Sequence, residues 1–307
     1  MHKTAFLYPG QGAQCAGMGR DFYENSPLAA DLYEKAGQIL GLDMKHLCFE
    51  ENEQLDRTEY TQAAMVTTCL AMTRVLKSEG IEPDITAGLS LGEYAAIAVA
   101  GGFTELDAIR LVRKRGILMQ TAVPEGFGAM CAILALDAKV IEEVLADIPD
   151  VTIANYNCPG QIVITGRREA VEKAAEKLKE AGARRCMMLN VDGAFHSPFL
   201  KQAGEELKEA LDTVEIHALQ LPYVTNVTAE YVTDKESIVP LLCRQISSPV
   251  RFMQSLERML ADGVDQFVEI GPGRTLAGFL KKTDRQAKVW NVQNFADVQR
   301  VKEELYV

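Results

Sequence analysis

Two rhythms of apolar and polar positions run along the chain, and where they change they mark its parts. Short unbroken apolar runs predict buried strands: KTAFLY (3–8), ITA within PDITAGLS (83–90) and QFVEI within DQFVEIGPG (265–273). Each runs into a turn or loop rich in glycine. Helical spacing fills the intervals. SPLAADLYEKAGQIL (26–40) opens on a Ser-Pro pair suited to a cap and first turn. TQAAMVTTCLAMTRVLKSEG (61–80) is long and mostly apolar, as a central helix would be, and LGEYAAIAVAGG (91–102) and TELDAIRLVRKRGILMQTAV (104–123) are two more. Strands alternating with helices predict a parallel α/β sheet.

The middle of the chain changes character. GAMCAILAL (128–136) reads as a strand, DAKVIEEVLADI (137–148) as a short helix, and VTIANYN (151–157) and QIVITG (161–166) as strands joined by a Cys-Pro-Gly turn. RREAVEKAAEKLKEAGA (167–183) is strongly amphipathic, and RRCMMLNV (184–191) is again strand-like. The order β-α-β-β-α-β is the ferredoxin-like pattern. It predicts a small domain over 124–195 inserted into a larger one made of 1–123 and 196–307. The larger domain resumes with a helix from SPFLKQAGEELKEALDTV (197–214) and a strand from LPYVTNVT (221–228). Helices near 236–246, 249–261 and 274–282 and a final strand at 288–294 complete it.

At 307 residues and 48% apolar content the chain can bury a large core. A net charge of -11 argues against non-specific nucleic-acid binding. The seven cysteines form no CxxC pair, and no secretory signal opens the chain, so a reduced, cytoplasmic setting is expected. No apolar run approaches the roughly 18 residues of a membrane span. With no HExxH, Cys/His cluster or GxxxxGK[ST] loop, no metal is expected.

Candidate chemistry centres on Gly88-Leu89-Ser90-Leu91-Gly92, which fits the G-x-S-x-G nucleophile elbow. The pentapeptide alone is common; a strand before it and a helix after it strengthen it, against a tight turn that merely uses small residues. A serine nucleophile needs a base. Of the four histidines, His196, on a loop between an inferred strand and a helix start, suits that task best, with a structural histidine at a domain junction as the other reading. An oxyanion needs donors, and the Leu91 N–H with the Gln11 backbone in PGQGAQ are candidates. PGQGAQ is equally a plain glycine-rich turn, and no dinucleotide fingerprint, because Cys15 stands where the third glycine belongs. Cys15 itself reads as a buried small residue rather than a reactive thiol. Arg115 has Leu111, Val112, Leu118 and Met119 as its helical neighbours, so a guanidinium on an apolar face must find a carboxylate, either internal or on a substrate.

Taken together, GQGAQ (10–14), GLSLGE (88–93), RG with MQ (115–120), NYNCPGQ (155–161), GAFHSP (193–198), QISSPV (245–250) and EIGPG (269–273) resemble the malonyl-CoA:acyl carrier protein transacylase family, from about residue 4 to about 290. The resemblance implies an α/β-hydrolase-like parallel-sheet core with an inserted ferredoxin-like subdomain. It implies a two-step transfer of malonyl from malonyl-CoA to the phosphopantetheine thiol of acyl carrier protein, for fatty acid synthesis, with no bound cofactor. Ser90 matches the nucleophile, His196 the base, Gln11 and Leu91 the oxyanion donors, and Arg115 the partner of the malonyl carboxylate. Gln245 matches the residue whose backbone carbonyl steers the histidine, and Asn155 and Asn157 match polar residues of the cleft. Phe195 resembles the malonyl users, where an aromatic ring narrows the pocket beside the α-carbon. Leu89 departs from the family's usual histidine in GHSxG.

An acidic, transiently bound carrier protein would call for a basic rim, with Lys201, Arg251, Arg274, Lys281 and Lys282 as candidates. No nucleic-acid or membrane partner is expected, and the protein is expected to be a monomer. Three other readings are an acyltransferase acting in trans for a polyketide synthase, a serine hydrolase, which would normally add an acidic third member, and a non-catalytic carrier-binding relative, against which Ser90, His196 and Arg115 together argue.

Overall fold

The computed structural model describes residues 2–305. In chain order its strands are β1 (Thr4–Tyr8), β2 (Ile85–Gly88), β3 (Gly128–Leu134), β4 (Val151–Cys158), β5 (Gln161–Arg167), β6 (Arg185–Met188), β7 (Tyr223–Val224), β8 (Tyr231–Val232), β9 (Gln266–Ile270) and β10 (Lys288–Val292). The helices are α1 (Arg20–Asn25), α2 (Pro27–Leu40), α3 (Met44–Phe49), α4 (Thr58–Ser78), α5 (Gly92–Val99), α6 (Glu105–Thr121), α7 (Ala138–Ala146), α8 (Arg168–Glu180), α9 (Lys201–Leu211), α10 (Ile238–Gln245), α11 (Phe252–Ala261), α12 (Thr275–Thr283) and α13 (Phe295–Leu305).

Six strands form one sheet in the order β10-β9-β1-β2-β7-β8, parallel except for the closing β7–β8 pair. β1 is buried along its whole length, and its side chains alternate between the sheet's two faces. Phe6 and Tyr8 join the larger core under α2, α4 and α5, while Ala5 and Leu7 join a second core against α11 and α12. Four antiparallel strands form the smaller sheet in the order β4-β5-β3-β6. α7 and α8 cover one face of it around a core that includes Ile133, Ile141, Ile164 and Leu178. Val250, in the segment between α10 and α11, pairs with Asn155 of β4 and ties the small sheet to that segment.

Several boundaries differ from those the sequence predicts. The strand expected over 221–228 pairs only at Tyr223–Val224, because the chain then folds into a tight loop. Thr225 accepts from the Ala229 N–H and donates to Glu230, and Ala229 takes a left-handed φ of 59°. The strand expected over 184–191 ends at Met188, and the following residues leave the sheet to wall a cleft. α13 was not expected, although Val298, Val301 and Leu305 carry helical spacing and are all buried.

Candidate active site

Parallel pairing aligns Tyr8 with Gly88, so the loops that follow β1 and β2 leave the same edge of the large sheet side by side. The turn after β2 is sharp. A side chain at Gly88 would run into the backbone of Gly92, and one at Gly92 would strike the Tyr8 carbonyl. Between them Ser90 adopts φ 54°, a left-handed conformation that costs a residue with a side chain about 1–3 kcal/mol. Two side chains hold it there. The Ser90 N–H donates to Asn226 Oδ1 at 2.7 Å, and Gln245 Nε2 donates to the Ser90 carbonyl at 2.9 Å. Asn226 Nδ2 in turn donates to the Gly88 carbonyl at 2.7 Å.

His196 reaches the same point from the loop before α9, also in a left-handed conformation with φ 59°. Its Nε2 lies 2.7 Å from Ser90 Oγ, and its Nδ1 lies 2.9 Å from the Gln245 carbonyl oxygen. A carbonyl only accepts, so Nδ1 carries the proton and Nε2 is left to accept from the serine hydroxyl. Burial, reinforced by the neighbouring Arg115 charge, pushes the His196 pKa down to about 3. The ring is therefore neutral near pH 7. Among the described residues no carboxylate pairs with it.

Arg115 lies on the face of α6 that packs on α4. Gly116 permits the approach: a Cβ there would sit 2.8 Å from the Thr58 carbonyl oxygen. The Arg115 guanidinium is fully buried. Its Nη1 donates to Gln62 Oε1 at 2.7 Å, and its Nη2 to Ser90 Oγ and Gln245 Oε1, both at 3.0 Å. The Arg115 Nε has no hydrogen-bond partner among the described residues. Among the described residues no carboxylate lies within ion-pair distance of Arg115, which removes the internal-partner reading. The nearest buried acid is Glu93, in the first turn of α5. Its Oε2 accepts from Gln245 Nε2 at 2.7 Å and from the Asn226 N–H at 3.1 Å. Burial pushes the Glu93 carboxyl up to about 7.

Ser90, His196 and Arg115 open on a cleft of about 340 Å³ between the two sheets. Gln11 lines it from the loop after β1, and its side chain is tied to Thr58 Oγ1 at 3.0 Å. The Leu91 N–H stands at the start of α5, among amides that have no partner within their own helix. Leu89 and Phe195 line the cleft as well. From the small sheet come Asn155 and Asn157, both buried, and among the described residues Asn157 Oδ1 has no partner. Gln245 lies behind the cleft wall, fully buried.

The structure thus brings together Ser90, His196, Arg115 and Gln245, and sets Gln11, Leu91, Phe195, Asn155 and Asn157 around them. Lys201, Arg251, Arg274, Lys281 and Lys282 are exposed, and none lines the cleft. Cys15 is exposed rather than buried, because the loop carrying it runs over the surface. Three site residues escape the sequence reading. Gln62 and Glu93 are polar groups on apolar helices, the same signal that singles out Arg115. Asn226 lies in a segment read as strand. Among the described residues no helix is long and apolar enough to cross a membrane, and no cluster of three or more potential metal ligands occurs.

The chain is similar to known proteins over nearly its whole length. The acyl transferase domain family matches residues 5–304. A malonyl CoA-acyl carrier protein transacylase of Bacillus subtilis (strain 168) is 46% identical over 293 residues, 94% of this chain and 92% of the relative. The crystal structure of a malonyl CoA-acyl carrier protein transacylase from Clostridium perfringens superposes with a TM-score of 0.95 at 39% identity, covering 99% of this chain and 97% of that one. A type II PKS acyl-carrier protein in complex with its malonyl-transacylase gives 0.95 at 37% identity, covering 98% and 99%. The chain belongs to the malonyl CoA-acyl carrier protein transacylase family, within the acyl transferase domain family.

Proposed function

We propose that the protein moves a malonyl group from malonyl-CoA to the phosphopantetheine thiol of acyl carrier protein through a malonyl ester on Ser90, supplying fatty acid synthesis. The observation that carries this reading is Arg115, a fully buried cation without a carboxylate, one hydrogen bond from the serine hydroxyl. A buried unpaired charge is costly, and a substrate carboxylate is the partner that offsets it.

The steps follow from the geometry. Arg115 binds the malonyl carboxylate and sets the thioester carbonyl over Ser90. His196 Nε2 takes the hydroxyl proton as Oγ attacks, and the oxyanion rests on the Gln11 and Leu91 N–H groups. Collapse expels the coenzyme A thiolate, which receives the proton from His196. The carrier thiol then repeats the sequence in reverse order on the ester. The Gln245 carbonyl, rather than a carboxylate, holds the imidazole through both steps. Malonyl-CoA and the carrier thiol supply all the reacting groups, so the chemistry needs no further cofactor.

Phe195 and the polar pair Asn155 and Asn157 complete the cleft, with the aromatic ring opposing a branched α-carbon. The chain is read as a core of 1–123 and 196–307 with an insert of 124–195, in support of which all four strands of the small sheet lie between 128 and 188. A cytoplasmic monomer that docks an acidic carrier transiently belongs to the same reading; the seven free cysteines are consistent with a reducing setting. A carrier serving a polyketide synthase is a second reading, favoured by the 37% identical relative seen with such a carrier.

Intact mass after mixing with malonyl-CoA alone tests the proposal. One malonyl group is expected on the wild type and none on Ser90→Ala. No adduct on folded wild type overturns it. Rates with fatty-acid and polyketide carriers, compared at low and high salt, then separate the two readings of the acceptor.

A further inference from the structure

Glu93 stands apart from every group used above. It is fully buried, touches neither the cleft nor the reacting atoms, and carries a carboxylate where the surrounding α5 sequence is apolar. A buried carboxylate is expensive unless its hydrogen bonds are used. Glu93 uses one oxygen twice: Oε2 accepts from Gln245 Nε2 at 2.7 Å and from the Asn226 N–H at 3.1 Å. The two residues it holds grip opposite ends of the site. Gln245 bonds the Ser90 carbonyl with its amide, Arg115 with its Oε1 and His196 with its backbone oxygen. Asn226 receives the Ser90 N–H and bonds the Gly88 carbonyl.

The Gln245 side chain has a choice that Glu93 removes. An amide can be turned over, exchanging Oε1 and Nε2. With Nε2 fixed on the Glu93 carboxylate, Oε1 must face the Arg115 guanidinium. Turned over, the amide would set N–H against Arg115 and oxygen against both Glu93 and the Ser90 carbonyl. Glu93 therefore determines which way the Gln245 amide points. It also braces the loop that keeps Ser90 in its left-handed conformation.

We propose that Glu93 and Asn226 are positioning residues for the transfer reaction: through one shared acceptor oxygen they lock Gln245 and the Ser90 backbone, and so set the serine hydroxyl against His196 and Arg115. The assignment rests on Ser90 as nucleophile, and its test must separate failure of the network from failure of that reading.

A sulfonyl fluoride provides the separation. The Ser90 oxygen attacks sulfur, fluoride leaves, and the hydroxyl proton passes to His196. The rate, followed by intact mass, reads the serine–histidine pair without malonyl-CoA. Glu93→Ala and Asn226→Ala are expected to slow both sulfonylation and malonyl turnover by about 10- to 100-fold, with KM for malonyl-CoA within about 3-fold. Glu93→Gln is the conservative rescue. Its Oε1 can accept both hydrogen bonds, and its amide replaces an oxygen, Oε1 of the glutamate, that has no partner. Recovery to within about 5-fold of wild type is expected. Because Glu93→Gln keeps the shape of the site, it remains informative if Glu93→Ala does not fold. A Glu93→Gln loss as deep as that of Ser90→Ala overturns the acceptor role. Wild-type sulfonylation by folded Asn226→Ala overturns the bracing role. Normal sulfonylation of every variant, with no malonyl adduct on wild type, overturns the substrate reading and the positioning claim together.

Discussion

The two sheets that wall the cleft are built on opposite terms. The wall from the large sheet is dense with hydrogen bonds and holds two residues, Ser90 and His196, in left-handed conformations. Among the described residues, the side-chain polar atoms of Ser90, His196, Arg115, Gln62, Gln245, Asn226 and Glu93 all have partners inside the protein except Arg115 Nε and Glu93 Oε1. The wall from the small sheet is quieter: Met130, Val163 and two asparagines, one with an unpaired oxygen. Strain and saturated bonding belong where atoms must stand at fixed distances, and open capacity belongs where a ligand is to be received. On that contrast, damage to the first wall should appear in chemistry and damage to the second in binding.

The largest effect is expected from His196→Ala. Losing a positioned base costs on the order of 10²–10⁴-fold, so acylation of Ser90 should slow by about 10³-fold in a protein that still folds. Stopped-flow or quenched-flow mass spectrometry at saturating malonyl-CoA reads it. Normal acylation would remove His196 from the mechanism and the large-sheet wall from the chemistry.

Arg115→Ala sharpens the comparison, because Arg115 belongs to the first wall and yet receives a ligand. Removing one member of a buried charge pair costs about 2–5 kcal/mol, roughly 30- to 5,000-fold in kcat/KM for malonyl transfer. Acetyl transfer has no carboxylate to lose and should be retained or improved. Improvement has a physical cause: the guanidinium is one of the two reasons the His196 pKa is low, and without it the base strengthens. Equal loss with both donors would make Arg115 structural. The contrast with Arg113, two positions away on α6, is informative here. Arg113 meets Glu59 at 3.0 Å and is only partly buried, an ordinary ion pair, whereas Arg115 is fully buried and hydrogen-bonds to two side-chain amides and a hydroxyl.

Asn157→Ala tests the second wall. Its Oδ1, unpaired among the described residues, is free to accept from a donor on a bound ligand, and one neutral hydrogen bond contributes about 0.5–1.5 kcal/mol. KM for malonyl-CoA should rise by about 2- to 10-fold while turnover stays nearly unchanged. Turnover slowed by about 100-fold would instead place this sheet in the chemistry.

What the sequence discloses follows the same division. Ser90 and Arg115 are legible because each breaks a local rule: a serine in a glycine-flanked turn, and a cation on an apolar helix face. Gly88 and Gly92 are legible for the reason the structure supplies, a turn too tight for side chains. Glu93 breaks the same rule as Arg115, yet its place one residue after the elbow motif hides it among helix-start acids. Asn226 is not legible, because the eight-residue segment around it, LPYVTNVT, reads as strand. The structure turns that run into a two-residue strand and a tight loop, and only the loop aims the side chain at Ser90. The succession of strands and helices in the small sheet's segment is legible from periodicity, whereas the length of β6 is not. Met188 is its last paired residue because Leu189 and its successors are taken for the cleft.

The smallest expected effect bears on the cost of the saturated wall. The Glu93 carboxyl has an ordinary value near 4.5 and is pushed up to about 7 by burial. The folded protein therefore holds this proton more tightly than the unfolded chain does. By linkage, the contribution of Glu93 to stability is fully present below about pH 4.5 and is lost as pH rises through 7. His196 runs the other way: its ordinary value near 6.5 is pushed down to about 3, so its contribution is full above 6.5 and is lost as pH falls toward 3. The two oppose each other between pH 4.5 and 6.5 and would blur a simple stability profile. Comparing Glu93→Gln with wild type cancels His196, which both proteins keep. The variant has no proton to lose, so its melting temperature relative to wild type should climb steadily from about pH 5 to about pH 8. A difference that stays flat with pH would mean that the network holds Glu93 charged across that range, with its hydrogen bonds outweighing its burial.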